Sequence, residues 1–174
     1  GQRTGLASTV SAGLAIQIGD IQPAAAGRAS VRIDGIADAS SHGFAQVSVT
    51  SASPVPQTPL RNGSLIVQVV PGSYAVRGQF GRVRADADYA FSYRLAGDVD
   101  GSFSVTAADL ALIRTGMSHA AALTRQQFAN ADVDGDGAIK AHDLELATAN
   151  LGASTTIRPL SLAPSIDAAT PSHN

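Results

Sequence analysis

The chain has 174 residues, 44% of them hydrophobic, and a formal net charge of -2. That length fits one domain, or a domain of about 100 residues joined to a small module, and the near-neutral balance leaves no basic field for nucleic acid. Cysteine is absent, which excludes disulfides and thiolate metal sites. No apolar run reaches the roughly 18 residues that cross a bilayer, so membrane insertion is not expected, and the missing basic-then-apolar leader predicts a processed chain.

From about Ser8 to Ala96, apolar residues recur at alternate positions between Gly, Pro, Asn and Asp, the pattern of half-buried strands. Leu14, Ile16 and Ile18 make one stripe. Val31 with Ile33, then Ala45, Val47 and Val49, then Leu65, Val67 and Val69 make three more, and Tyr74 with Val76 continues the series. A last run of Tyr89, Phe91, Tyr93 and Leu95 predicts the centre of a core. Asn62-Gly63 and Pro71-Gly72 predict turns, and 51–59, with its three prolines, predicts an exposed loop. Six or seven strands in this span predict an antiparallel β-sandwich of immunoglobulin-like kind over 1–96, with a small barrel as the alternative.

After Leu95 the period becomes helical, and the acidic residues cluster. Seven of the thirteen Asp residues fall within 98–109 and 132–143. Numbering each twelve-residue stretch from its first Asp, the first places oxygen-bearing side chains at positions 1, 3, 5, 9 and 12: Asp98, Asp100, Ser102, Thr106 and Asp109. The second repeats the acidic spacing with Asp132, Asp134, Asp136 and Asp143. A hard cation such as Ca²⁺ takes six to eight oxygens, and a twelve-residue loop supplies them by curling around the ion. Position 7 offers a backbone carbonyl, here from Ser104 and Ala138. Position 8 is apolar in both, Val105 and Ile139, which predicts a short strand pairing of one loop with the other.

An amphipathic helix is predicted after each loop, with Leu110, Ile113 and Met117 on one stripe and Leu144, Ala147 and Leu151 on the other. Between them, Thr124 and Gln127 have capping-box spacing for a short helix that buries Phe128. The two sites are expected to differ. The second has four carboxylates and Gly137 at position 6, whereas the first has three, with Ser102 at position 5 and Phe103 where the turn needs a positive φ. Tighter calcium binding is therefore expected at the second.

These motifs over 97–152, Gly-Asp-Val-Asp-Gly and Ala-Asp-Val-Asp-Gly-Asp-Gly, each ending on Asp-Leu, resemble the dockerin domains. As in that family, the first loop is entered without a preceding helix. The resemblance implies a three-helix, calcium-folded module that binds cohesin domains in extracellular, cell-surface assemblies. Many dockerins carry a Ser-Thr-like recognition pair at positions 10 and 11; here those positions are Ala107 and Ala108, then Ala141 and His142.

Catalytic machinery is not expected. His42, His119, His142 and His173 lack ligand spacing, no nucleophile motif or phosphate loop is present, and Glu145 is the lone Glu. Arg77, Arg82, Arg84 and Arg94 are expected at solvated strand positions. The tail 153–174 is rich in Ser, Thr and Pro, yet Leu160 and Leu162, like the first stripe, are strand-like enough to join their own sheet or a neighbour's. The missing hydroxyls at positions 10 and 11 favour a non-catalytic structural subunit that self-associates, as a fibre or surface layer, by terminal strand addition. The alternatives are a dockerin-bearing component for a cohesin-like partner and a carbohydrate-binding module for surface polysaccharide.

Overall fold

The computed structural model describes residues 7–22, 28–37, 45–60, 63–83, 89–160 and 165–168. Nine strands and three α-helices follow in order: β1 (Ala7–Ile18), β2 (Ala29–Ala37), β3 (Ala45–Thr50), β4 (Gln57–Pro59), β5 (Leu65–Val69), β6 (Gly72–Val83), β7 (Tyr89–Leu95), α1 (Ala107–His119), α2 (Arg125–Ala131), α3 (Ala141–Ala149), β8 (Ile157–Pro159) and β9 (Ser165–Ala168). The five-stranded sheet runs β3-β6-β1-β8, with β9 also on β1, and the four-stranded sheet runs β4-β5-β2-β7. Every strand pairing among the described residues is antiparallel.

Period-2 alternation sends one face of each strand inward. Ile16, Ile18, Val49, Tyr74 and Val76 from one sheet share a buried cluster with Val31, Ile33, Leu65, Val67 and Leu95 from the other. Burying each large side chain there stabilises by about 1.5–3 kcal/mol. The last predicted stripe is less central than its aromatic content suggests. Leu95 is fully buried, but Phe91 and Tyr93 pack partly buried at the edge of the cluster, and the Tyr89 side chain lies outside the described residues.

Pro71-Gly72 turns as expected, but it carries the chain from the four-stranded to the five-stranded sheet and so makes no hairpin. The Tyr74 hydroxyl bridges this turn, donating to the Val70 carbonyl at 2.8 Å and accepting from its N–H at 3.0 Å. Asn62 lies outside the described residues; Gly63 has φ +84° in the connection between β4 and β5. The proline-rich stretch is exposed, and its last three residues form the edge strand β4. Pro59 is tolerated there because an edge strand leaves one row of N–H groups unpaired.

The tail does not stay separate. Beyond α3, β8 pairs with β1 over Ile16–Ile18, and β9 pairs with the same strand over Val10–Gly13. The terminal segments expected to join either their own sheet or a neighbour's thus join their own, which removes the strands on which strand addition relied. Leu162 lies outside the described residues. In sequence, the helical segment is enclosed between β7 and β8, two strands of the two-sheet region.

Candidate metal centre

Each acidic loop curls because its own carboxylates collect backbone N–H groups. In the first, Asp98 Oδ1 accepts from Gly101 N (2.9 Å) and Ser102 N (3.0 Å), while Oδ2 accepts from Phe103 N (2.9 Å). Asp109, three residues into the chain around α1, reaches back: Oδ1 accepts from Val99 N (2.9 Å) and Asp100 N (3.2 Å), and Oδ2 from Thr106 N and its hydroxyl. This reciprocal cap both starts α1 and closes the loop.

The second loop repeats the scheme. Asp132 accepts from Asp136 N at 3.1 Å and Gly137 N at 2.9 Å, and Asp143 accepts from Asp134 N at 3.0 Å and Lys140 N at 2.8 Å. Position 9 is Lys140 here, and its ammonium bonds Asp136 Oδ2 at 2.6 Å, so this position carries a cation where the first loop has the Thr106 hydroxyl. Asp136 Oδ1 accepts from Ala138 N at 2.9 Å.

The carboxylates converge. Asp98, Asp100 and Asp109 place one oxygen each within 4.8 Å of one another, and Asp132, Asp134 and Asp136 do the same. Ser102 and Ser104 adjoin the first group, their hydroxyls 2.9 Å apart. Asp98, Asp109, Asp132 and Asp143 are buried, yet none of the four is in an ion pair among the described residues. Burial pushes Asp98 up to about 6, against the stabilising N–H groups of Phe103 and Ser102 and with Asp100 and Asp109 adding to the rise. Asp132 is raised for the same leading reason, with the Gly137 N–H opposing. Buried, like-charged carboxylates of this kind need a countercharge, and an all-oxygen donor set is the kind a hard divalent cation takes.

Phe103 has φ +60°, the one positive value outside glycine among the described residues, while Gly137 occupies the same turn at +90°. The left-handed conformation costs a side-chain-bearing residue about 1–2 kcal/mol. The expected pairing of Val105 with Ile139 is replaced by another. Val105 N donates to the Ala153 carbonyl at 2.9 Å and its carbonyl accepts from Gly152 N at 2.8 Å, so the first loop is tied to the strand leading into β8. Val105 packs in the core shared by the two sheets, and Ile139 in a second cluster with Leu110, Ile113, Ala131 and Val133.

The α2 capping box forms as predicted, with Gln127 N to Thr124 Oγ1 at 3.1 Å and Thr124 N to Gln127 Oε1 at 3.0 Å, and Phe128 packs on the second cluster. Two stripe residues depart from expectation. Met117 and Leu151 are 43% and 48% exposed, because Gly116 takes the inward place in α1 and Leu151 falls beyond the end of α3. Ala107, Ala108, Ala141 and His142 are exposed.

Three residues around the loops escape a reading by sequence. Arg32, on the outer face of β2, donates to the carbonyls of Asp132 and Val133, the latter at 3.1 Å. Asn130 donates to the Val99 carbonyl at 3.0 Å. Asn150 spans β2 and β7, accepting from Ser30 N at 2.8 Å and donating to the Ser30 and Ala96 carbonyls. Arg94, expected at a solvated position, is instead partly buried, 3.4 Å from Asp34 and bonded to the Ala129 carbonyl; burial lowers its pKa. Arg77 is exposed, and the Arg82 side chain and Arg84 lie outside the described residues. Arg32 and Arg94 are register partners across β2 and β7, and Asp34 between them offsets the repulsion of like charges.

No curated protein and no solved structure matches the chain. The family model of the dockerin type I domain matches residues 96–151, which begin at the end of β7 and end just after α3. The segment 96–151, with its two carboxylate clusters and three helices, thus matches the dockerin type I domain.

Proposed function

We propose that this chain is a non-catalytic, extracellular component whose dockerin segment binds two calcium ions and docks onto a cohesin-like domain of a partner protein. The observation that carries it is the pair of oxygen clusters, Asp98 with Asp100 and Asp109 and Asp132 with Asp134 and Asp136, in loops whose N–H groups the position-12 carboxylates Asp109 and Asp143 collect, within a segment that matches a family of docking modules. In the first loop the ligand set is Asp98, Asp100, Ser102, Thr106 and Asp109 with the Ser104 carbonyl; in the second it is Asp132, Asp134, Asp136 and Asp143 with the Ala138 carbonyl. The core shared by both sheets supports an immunoglobulin-like sandwich, with the dockerin inserted between β7 and β8. Ala107, Ala108, Ala141 and His142 stand exposed at the recognition positions and offer a partner small apolar contacts in place of hydroxyls.

The test is calorimetric titration of the chain with cohesin domains of several specificity groups, in calcium and in chelator. Calcium-dependent one-to-one binding to at least one group is expected. Retained calcium binding with no cohesin bound by any group would overturn the docking reading.

Two expected results bear on the ion sites. Ser102→Asp supplies a fourth carboxylate to the first loop, and its calcium affinity is expected to rise about tenfold, read by calorimetry against an unchanged second site. The pH dependence follows from Asp98, held near 6 without calcium against an ordinary 3.8. The calcium-free folded state keeps this proton between those values while the unfolded chain releases it, so calcium-free stability falls as pH rises through the window. Calcium needs the ionised carboxylate, so first-site affinity is expected to drop about tenfold from pH 7 to pH 5. Titrations at the two pH values check it.

A further inference from the structure

We propose that Arg32 of the two-sheet region is a positioning residue for the second calcium loop, which reaches full affinity only with that sheet face docked against it. The inference rests on the calcium reading above and goes beyond it, because Arg32 lies outside the dockerin segment.

The two loops can be compared atom by atom. In each, the N–H at position 3 donates to the position-12 carboxylate: Asp100 N to Asp109 Oδ1 at 3.2 Å, and Asp134 N to Asp143 Oδ1 at 3.0 Å. The carbonyl at position 2 belongs to the same planar peptide unit, so whatever holds that carbonyl aims the N–H. In the first loop the holder is Asn130 on α2, inside the dockerin segment, at 3.0 Å from the Val99 oxygen. In the second it is Arg32, 101 residues away in sequence, at 3.1 Å from the Val133 oxygen. The same Nη1 also donates to the Asp132 carbonyl at position 1. The position-2 carbonyl of the first loop is held from within the segment, that of the second by the β-region.

Arg32 is built for that place. It is 6% exposed, and its Nε bonds Asp34 at 3.1 Å, while Asp34 also accepts from the Ser64 hydroxyl and lies 3.4 Å from Arg94. The paired Asp34 offsets the arginine's charge, so the guanidinium orients the loop without strongly opposing a cation inside it. Its register partner on β5, Ile66, packs into the same cluster as Val133 and Ile139. Apolar contact and polar clamp therefore act on one loop from one strand row. Because binding free energies are reciprocal, calcium in the second loop must tighten the docking of the sheet by the same factor that docking tightens calcium.

Substituting residues that orient metal ligands without touching the ion typically weakens metal affinity 10–100-fold. The full-length chain and its Arg32→Met, Arg32→Lys, Asn130→Leu and Arg94→Met variants are titrated with calcium, with the Phe103 and Gly137 amide resonances followed as reporters of the first and second loops. Arg32→Met is expected to weaken the second site about 10–100-fold and leave the first within about twofold; Arg32→Lys recovers part of the loss. Asn130→Leu weakens the first site alone. Arg94→Met, in the same buried cluster but bonded to α2, lowers the melting temperature with second-site affinity unchanged. An unaltered second site in Arg32→Met, or an equal loss in Arg94→Met, overturns the proposal while leaving the calcium reading intact. Absence of calcium binding by the unaltered chain overturns both.

Discussion

Chelation of calcium is expected to unfold the helical segment and lower the melting temperature of the chain by about 15–30 °C. Without the ion, Asp98, Asp109, Asp132 and Asp143 remain buried and outside any ion pair among the described residues, and their mutual repulsion is opposed chiefly by backbone N–H groups, with the Thr106 hydroxyl on Asp109 and the field of Arg32 on Asp132. A ligand a thousandfold above its Kd stabilises by about 4 kcal/mol per site, so two sites give about 8 kcal/mol, and each kcal/mol moves a domain of this size by about 2–4 °C. Scanning calorimetry and circular dichroism at 222 nm, with calcium and with chelator, check it. Equal melting temperatures would contradict the calcium reading. Asp143→Asn should reproduce about half of the effect, because it removes the charge that closes the second loop and keeps the shape.

The other large effect is expected from Gly97→Ala, at the junction between β7 and the first loop. Gly97 has φ +95°, and an added Cβ would lie 2.4 Å from Ala147 Cβ and 2.7 Å from its Cα. Left-handed strain costs about 1–2 kcal/mol and overpacking about 1–3 kcal/mol, so a loss of about 3 kcal/mol is expected, a drop of about 6–12 °C. The displaced element is α3, which carries Asp143 in its first turn and Ala147 fully buried beneath it. Denaturant unfolding checks the stability. Adding Ala147→Gly should recover the part of the overlap that falls on the Ala147 Cβ and leave the 2.7 Å approach to its Cα and the conformational part; no recovery would place the defect elsewhere.

Both effects fall where the two regions meet, and that junction is dense. Val105 packs in the core between the sheets, Ile66 packs among the helices, and Asn150 holds the end of α3 to β2 and β7. Tyr74 is buried and Tyr93 partly so, which leaves neither ring displayed as a flat sugar platform. The described helices contain none long and apolar enough to cross a membrane.

Local chemistry determined much by itself. Carboxylate spacing marked both loops, because the loop's own N–H groups and its own Asp side chains close it, and the Thr124 and Gln127 box marked α2 for the same reason. Alternation marked the strands, since a strand's two faces differ whatever they face. The partners of each surface were decided only in the tertiary structure. A strand's period distinguishes inside from outside but cannot say that the outer face of β2 is covered by a loop 101 residues on, so nothing local marks Arg32 until that loop is placed. Likewise Val105 satisfies its apolar position equally well against Ile139 or in the core between the sheets, and the return of the chain through β8 decides for the second. The paired acidic loops were legible because the carboxylate bonds that curl them are short-range; their attachment to the β-region was not, because it depends on which distant donors reach the carbonyls they turn outward.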